Sequence, residues 1–148
     1  RNTKNYLDCI GLNFYFHNRI NYGLNKNTNE VISDVGWDLH PEDIEDVLKD
    51  LKQYHRPIFI TESGLADKKD EDRTWFIKET AEAISRALSA NVDVRGYFHW
   101  SLLDNFEWDK GFWPRFGLVE IDYKTMERKI RPSAWEYKKI IESTKHET

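Results

Sequence analysis

One cysteine and one methionine are all the sulfur in this 148-residue chain. The single Cys9 excludes an internal disulfide framework and any zinc site built from cysteines. No apolar run approaches the roughly 20 residues of a membrane helix, and no signal peptide opens the chain; the expected location is the cytoplasm. A basic excess is missing as well. The 22 Lys plus Arg against 26 Asp plus Glu leave a net charge of −4, which argues against a nucleic-acid surface. The one methionine is Met126 rather than an initiator, so the chain is expected to be processed or cut from a longer one. Its length suits one ordinary domain with a sizeable core. Aromatic residues, by contrast, are plentiful: they make up 14 %, with six Trp.

Strand-like and helix-like segments alternate. Cys9 to Tyr15 is short, nearly continuously apolar and rich in strand formers. The Asn- and Gly-bearing stretch from Asn18 to Gly36 has no clear periodicity, and a loop that long is usually functional or disordered. Pro41 opens a helix whose Ile44, Val47, Leu48 and Leu51 repeat at the spacing of one buried face. Pro57 to Glu62 is a second apolar run. The charged stretch Asp67 to Arg73 reads as a solvated helix entrance, leading into a helix from about Thr74 to Ala90. Val94 to Ser101 is a third strand, Leu118 to Tyr123 a shorter one, Arg128 to Arg131 a basic turn, and Pro132 the start of a last helix. This alternation predicts β-α-β units and a parallel sheet covered on both faces. Three such units make either an open three-layer sheet or a part of a barrel, which needs about eight.

Polar residues concentrate at the C-terminal ends of the strands: Asn13, Tyr15, Glu62, Trp100 and Ser101. In both barrels and open α/β sheets, that end carries the chemistry. Glu62 is either a capping or salt-bridged carboxylate, or a nucleophile or general base tuned by its surroundings. Tyr15 is placed to donate a hydrogen bond to it. The segment Trp100 to Trp108 alternates rings with Asp104, Asn105 and Glu107. It reads as core filler or as a sugar pocket: flat rings suit the C–H face of a pyranose, and Glu107 suits two adjacent sugar hydroxyls. A dry core would have to satisfy each of those polar groups. The five His show no metal-ligand spacing, so no metal site is expected; His99 is expected as a satisfied buried residue, and Cys9 as a small buried hydrophobe. No phosphate loop, serine elbow or His-Glu-x-x-His element is present.

These residues resemble the C-terminal third of the family 1 β-glycosidases. Phe59-Ile60-Thr61-Glu62-Ser63-Gly64 is similar to that family's Ile-Thr-Glu-Asn-Gly nucleophile motif, with Ser63 where Asn is usual. Gly96 to Trp108, with Gly111 and Arg115-Phe116-Gly117, resembles its sugar-recognition segment. Gly11-Leu12-Asn13-Phe14-Tyr15 and Gly36-Trp37 followed by Pro41 match its other motifs, in order, from about Asp8 to Ile141. The resemblance implies an α/β fold comprising strands six to eight of a (β/α)8 TIM barrel, with residues 1–148 as one partial catalytic domain. It implies that Glu62 is the nucleophile of a retaining β-glycosidase, that Tyr15 hydrogen-bonds it, and that Asn13 lies nearby. Trp100 would floor the subsite of the non-reducing sugar. Glu107 and Trp108 would read its hydroxyls, Phe116 would line the same pocket, and Trp37 would border the leaving-group side. The Glu107-Trp108 pair favours a neutral glucoside, galactoside or fucoside over a 6-phosphoglycoside.

The family's acid/base Glu sits in an Asn-Glu-Pro tripeptide, which this sequence lacks. Retention needs two carboxyl groups about 5–5.5 Å apart, and this chain supplies one. The expected partners are therefore a β-glycoside and the N-terminal part of the same barrel, on the same protein or a separate chain, with no cofactor, nucleic acid or membrane. Alone the chain is expected to be inactive. The alternatives are a non-catalytic carbohydrate-binding module and a self-associating half-barrel.

Overall fold

The computed structural model describes residues 6–144. The chain runs through β1 (Ile10–Asn13), a small hairpin of β2 (Ile20–Asn21) and β3 (Leu24–Asn25), α1 (Ile44–Leu51) and β4 (Ile58–Ser63). It continues through α2 (Arg73–Ser89), β5 (Val94–His99), the pair β6 (Val119–Ile121) and β7 (Arg128–Ile130), and α3 (Pro132–Thr144). β1, β4 and β5 form one sheet in the order β1-β4-β5, and both pairings are parallel. Ile10 lies opposite Ile58 and Leu12 opposite Ile60, while Phe59 faces Gly96 on the other side. Ile58 and Ile60 are buried under the helices, whereas Phe59 is only half-buried and Thr61 is exposed. The sheet is thus covered on one face, and the expected cover on both faces is not found among the described residues.

Ile58 and Ile60 are fully buried, and they pack with Ile44 and Leu48 of α1 and Ala83, Ile84 and Ala87 of α2. The expected face of α1 is thus the one packed inward, with Ile44 and Leu48 fully buried and Val47 and Leu51 partly so. A single 3-10 turn, Pro41–Asp43, precedes α1. The ring of Pro41 presets φ and lacks the N–H that a first turn leaves unbonded. A second, smaller core joins Leu39, Leu65 and Phe76, with Val31, Trp37 and Trp75 packed against it.

Four further expectations change. Residues 128–131, expected as a turn, instead begin with the strand β7, which pairs antiparallel with β6 away from the parallel sheet. The turn lies at 122–127, where Asp122 Oδ1 accepts from Lys124 N at 2.8 Å and Met126 takes a φ of 63°. Inside the long loop, β2 and β3 form a hairpin about Tyr22-Gly23, with φ of 51° and 77°. Positive φ at both central residues matches the twist of a tight two-residue turn. Cys9 is exposed rather than buried, because it precedes the outer strand of the sheet. His99 is satisfied on one side only: Nδ1 lies 3.4 Å from the Tyr97 hydroxyl, while Nε2 is buried with no hydrogen-bond partner. No helix among the described residues is long and apolar enough to cross a membrane.

Candidate active site

Glu62 leaves β4 at the point where the strand meets Gly64. A side chain at Gly64 would place its Cβ 1.9 Å from the carbonyl oxygen of Trp100, so glycine permits the ends of β4 and β5 to approach. Trp100 N donates to Ser63 O at 2.9 Å, which ties the two ends. The Trp100–Ser101 peptide is cis. Across the other edge, Phe14 N donates to Glu62 O at 2.9 Å. Backbone pairing therefore delivers Tyr15 to Glu62, and its hydroxyl donates to Glu62 Oε2 at 2.7 Å. Burial, then the hydrogen bond and charge of Glu62, then the charge of Glu107, push the Tyr15 hydroxyl well above its ordinary range. The phenol therefore keeps its proton and acts as the donor.

Tyr15, Trp37, Glu62, Trp100, Glu107, Trp108 and Phe116 surround one open cavity of about 430 Å³. A cavity of that size suits a small ligand. Trp37 lies 5.4 Å from Tyr15 and 5.9 Å from Phe116, centroid to centroid, so these rings form one continuous wall. Elsewhere in the lining, Trp100 Nε1 donates to Glu107 Oε1 at 3.1 Å, and Asn105 Nδ2 donates to the same oxygen at 2.5 Å. Trp108 is 84 % exposed. Asn13 stands apart from the cavity lining: its Oδ1 accepts from Thr61 Oγ1 at 2.6 Å. Val35, Asp109 and Lys110 also line the cavity. Nothing in the sequence pattern marked Val35, and the Asp109-Lys110 pair was legible only as the continuation of the aromatic loop.

The loop that carries Glu107 is held from beneath. Asp104, whose side chain is wholly buried, accepts from Gly117 N at 2.9 Å and from Arg131 Nη1 at 3.0 Å, and also from Arg115 Nη1 at 3.2 Å. Gly117 leaves the needed room, since a Cβ there would come 2.2 Å from Asp104 N. A second network centres on Arg73, whose side chain is also buried. Its guanidinium bonds Asp70 and donates to the carbonyls of Asp67 and Arg115 at 2.7 and 2.8 Å. Asp70 in turn accepts from Ser133 N at 2.9 Å and fixes the start of α3. Sequence reasoning placed Asp104 and Arg73 on loops or helix entrances; their burial was not visible there.

A carboxylate, a tyrosine and several rings thus gather at the C-terminal ends of parallel strands, the edge where α/β proteins concentrate their chemistry. The chain belongs to Glycosyl hydrolase family 1, whose model matches residues 3–146. It is 39 % identical to a beta-galactosidase of Saccharolobus solfataricus, with 93 % of this chain and 32 % of that protein aligned. The fold superposes on a beta-glycosidase from Pyrococcus horikoshii with a TM-score of 0.82 at 41 % identity, covering 90 % of this chain and 34 % of that one. It also superposes on the beta-glucosidase from Thermotoga maritima in complex with glucoimidazole, with a TM-score of 0.87 at 31 % identity, covering 92 % and 34 %. Family 1 glycosidases are (β/α)8 barrels, and this chain spans about a third of the length of the relatives it matches.

Proposed function

We propose that this chain supplies the nucleophile and most of the sugar pocket of a retaining β-glycosidase, with β1, β4 and β5 as the sixth, seventh and eighth strands of its barrel. A carboxylate oxygen of Glu62 bonds to the anomeric carbon of a neutral β-glycoside as the glycosidic C–O bond breaks. The leaving oxygen takes a proton from an acid on the remainder of the barrel. Water then cleaves the glycosyl ester, with that same acid, now a base, accepting its proton. Tyr15 aims Glu62, Trp100 and Phe116 pack against the sugar ring, and Glu107 with Trp108 binds its hydroxyls. Trp37 borders the leaving group. Asn13 acts through Thr61 rather than on the sugar.

The observation that carries this reading is the 2.7 Å hydrogen bond from Tyr15 to Glu62 at the mouth of an aromatic cavity. The partner follows from the tripeptide this sequence lacks: a second polypeptide or segment bearing Asn-Glu-Pro. Among the described residues, one edge of β1 and one of β5 have no strand neighbour, and open edges invite pairing.

The test is to combine the chain with an N-terminal family 1 segment that carries Asn-Glu-Pro and to assay an activated aryl β-glycoside. Turnover should appear only with both parts, and Glu62→Gln should lower it by about 10⁴-fold or more. Undiminished turnover in that variant would reject the nucleophile. The open edges also favour a second reading, a self-associating half-barrel; a homodimer that refuses the N-terminal segment would establish it instead.

A further inference from the structure

We propose that His17, Asp38 and His40 form a binding site for one divalent transition-metal ion of the zinc type, separate from the sugar pocket. One ligand atom from each of the three residues lies within 4.8 Å of the other two, although 23 positions separate His17 from His40. Asp38 and His40 are buried, and the Asp38 side chain has no exposure at all. Its Oδ1 has no hydrogen-bond partner. A buried carboxylate oxygen left unbonded costs free energy that a cation would recover. Oδ2 lies 3.3 Å from His40 Nε2, long for a charged hydrogen bond. The spacing matches the ~3.3 Å between two ligands bound about 2.05 Å from a tetrahedral zinc.

Each ring has a carboxylate at its far nitrogen. His40 Nδ1 lies 3.2 Å from Glu42 Oε1, and His17 Nδ1 contacts Asp43. Holding the far nitrogen of a ligating imidazole with a carboxylate is how proteins orient such ligands, leaving Nε2 its lone pair. For His17 that assignment is independently indicated, because Nε2 accepts from Arg19 Nε at 3.2 Å. Arg19 is an exposed side chain, and a metal ion would replace its weak bond. The Thr28 hydroxyl, 3.3 Å from His40 Nε2, is at hand as a fourth oxygen ligand.

The two imidazoles stack at 4.4 Å with their planes 7° apart. Ligation asks His17 to turn out of that stack, which its place on a loop, with a side chain 20 % exposed, permits. Two imidazoles with one carboxylate suit zinc, cobalt or nickel rather than magnesium or calcium, which prefer all-oxygen sites. The ion would tie the segment that follows β1 to the entrance of α1, on either side of Trp37. It is a brace for the pocket wall and takes no part in hydrolysis.

The test uses the chain freed of metal with EDTA and titrated with Zn²⁺ alone by calorimetry, with Co²⁺ as a spectroscopic probe. One ion per chain is expected, with the visible band of tetrahedral Co²⁺. A free Zn²⁺ concentration about a hundredfold above Kd should raise Tm by about 5–10 °C. His17→Asn and Asp38→Asn should each weaken binding at least about tenfold. If Asp38→Asn does not fold, His17→Asn on the exposed loop carries the test alone. Absence of saturable binding, or binding unchanged in the folded variants, would overturn the site.

Discussion

Residues 99–118 and residues 14–40 line the same cavity and meet where Phe116 packs on Trp37, yet they are anchored by different forces. The first segment is pinned by a fully buried charge, Asp104, held by Arg131, Arg115 and the amide of Gly117. The second contains the long loop with its exposed hairpin. It is held by stacked rings, Phe16 on Trp37 at 4.8 Å, and by the His17–Asp38–His40 cluster. A buried ion pair is directional and costly to break, whereas stacked rings tolerate small displacements. The wall that grips the sugar in our proposal is the rigid one, and the wall beside the leaving group is the adaptable one.

Four substitutions probe that contrast, in descending order of effect. Asp104→Ala leaves Arg131 buried without its carboxylate, and should cost about 3–5 kcal/mol of stability. Urea unfolding measures this; a loss below about 1 kcal/mol would mean that the wall is not held by charge. Tyr15→Phe removes a hydrogen bond to a carboxylate worth about 1.5–3 kcal/mol, so the completed barrel should lose roughly 10- to 100-fold in turnover. Unaltered kinetics would detach Tyr15 from Glu62.

The third probe is pH. Burial, then the nearby charge of Arg73, push the His99 imidazole down to about 3, against about 6.5 in an unfolded chain. The unfolded state therefore binds the proton first. This penalty is absent above pH 6.5 and grows as pH falls toward 3, reaching about 1–2 kcal/mol by pH 5. His99→Gln should flatten that part of the acid limb; equal acid sensitivity would reject the assignment. Last, Phe16→Leu keeps most apolar burial but loses the ring stack, for about 0.5–1.5 kcal/mol. A loss as large as that of Asp104→Ala would erase the difference between the walls.

Legibility followed the range of the interactions. Ile58 to Glu62 announced both a strand and the carboxylate at its end, because apolarity and strand length are local properties. The meeting of Tyr15 with Glu62 was readable as an expectation, since both end parallel strands. The join between Trp100 and Glu107 was not, because it depends on a loop folding back through Asn105. Asp104 was read as one more polar residue among sugar-facing rings, yet it lies beneath them. Its partners Arg115 and Arg131 are brought to it by β6, β7 and the chain between. Arg128 to Arg131 looked like a turn because its charge concealed a short, exposed strand pairing with Val119–Ile121.

The histidines are the sharpest case. Metal sites are found in sequence by short, regular spacings, and His17 and His40 offer none. They meet because β1 and the approach to α1 are adjacent in space, with a long loop between them. Sequence alone determined the parallel α/β order, the helical faces and the candidate nucleophile, since hydrophobic periodicity and chain-end position are written along the chain. Tertiary structure decided which polar side chains are buried together and which walls are stiff. Those properties arise from contacts between residues far apart in sequence, where burial removes water and makes each unpaired group costly.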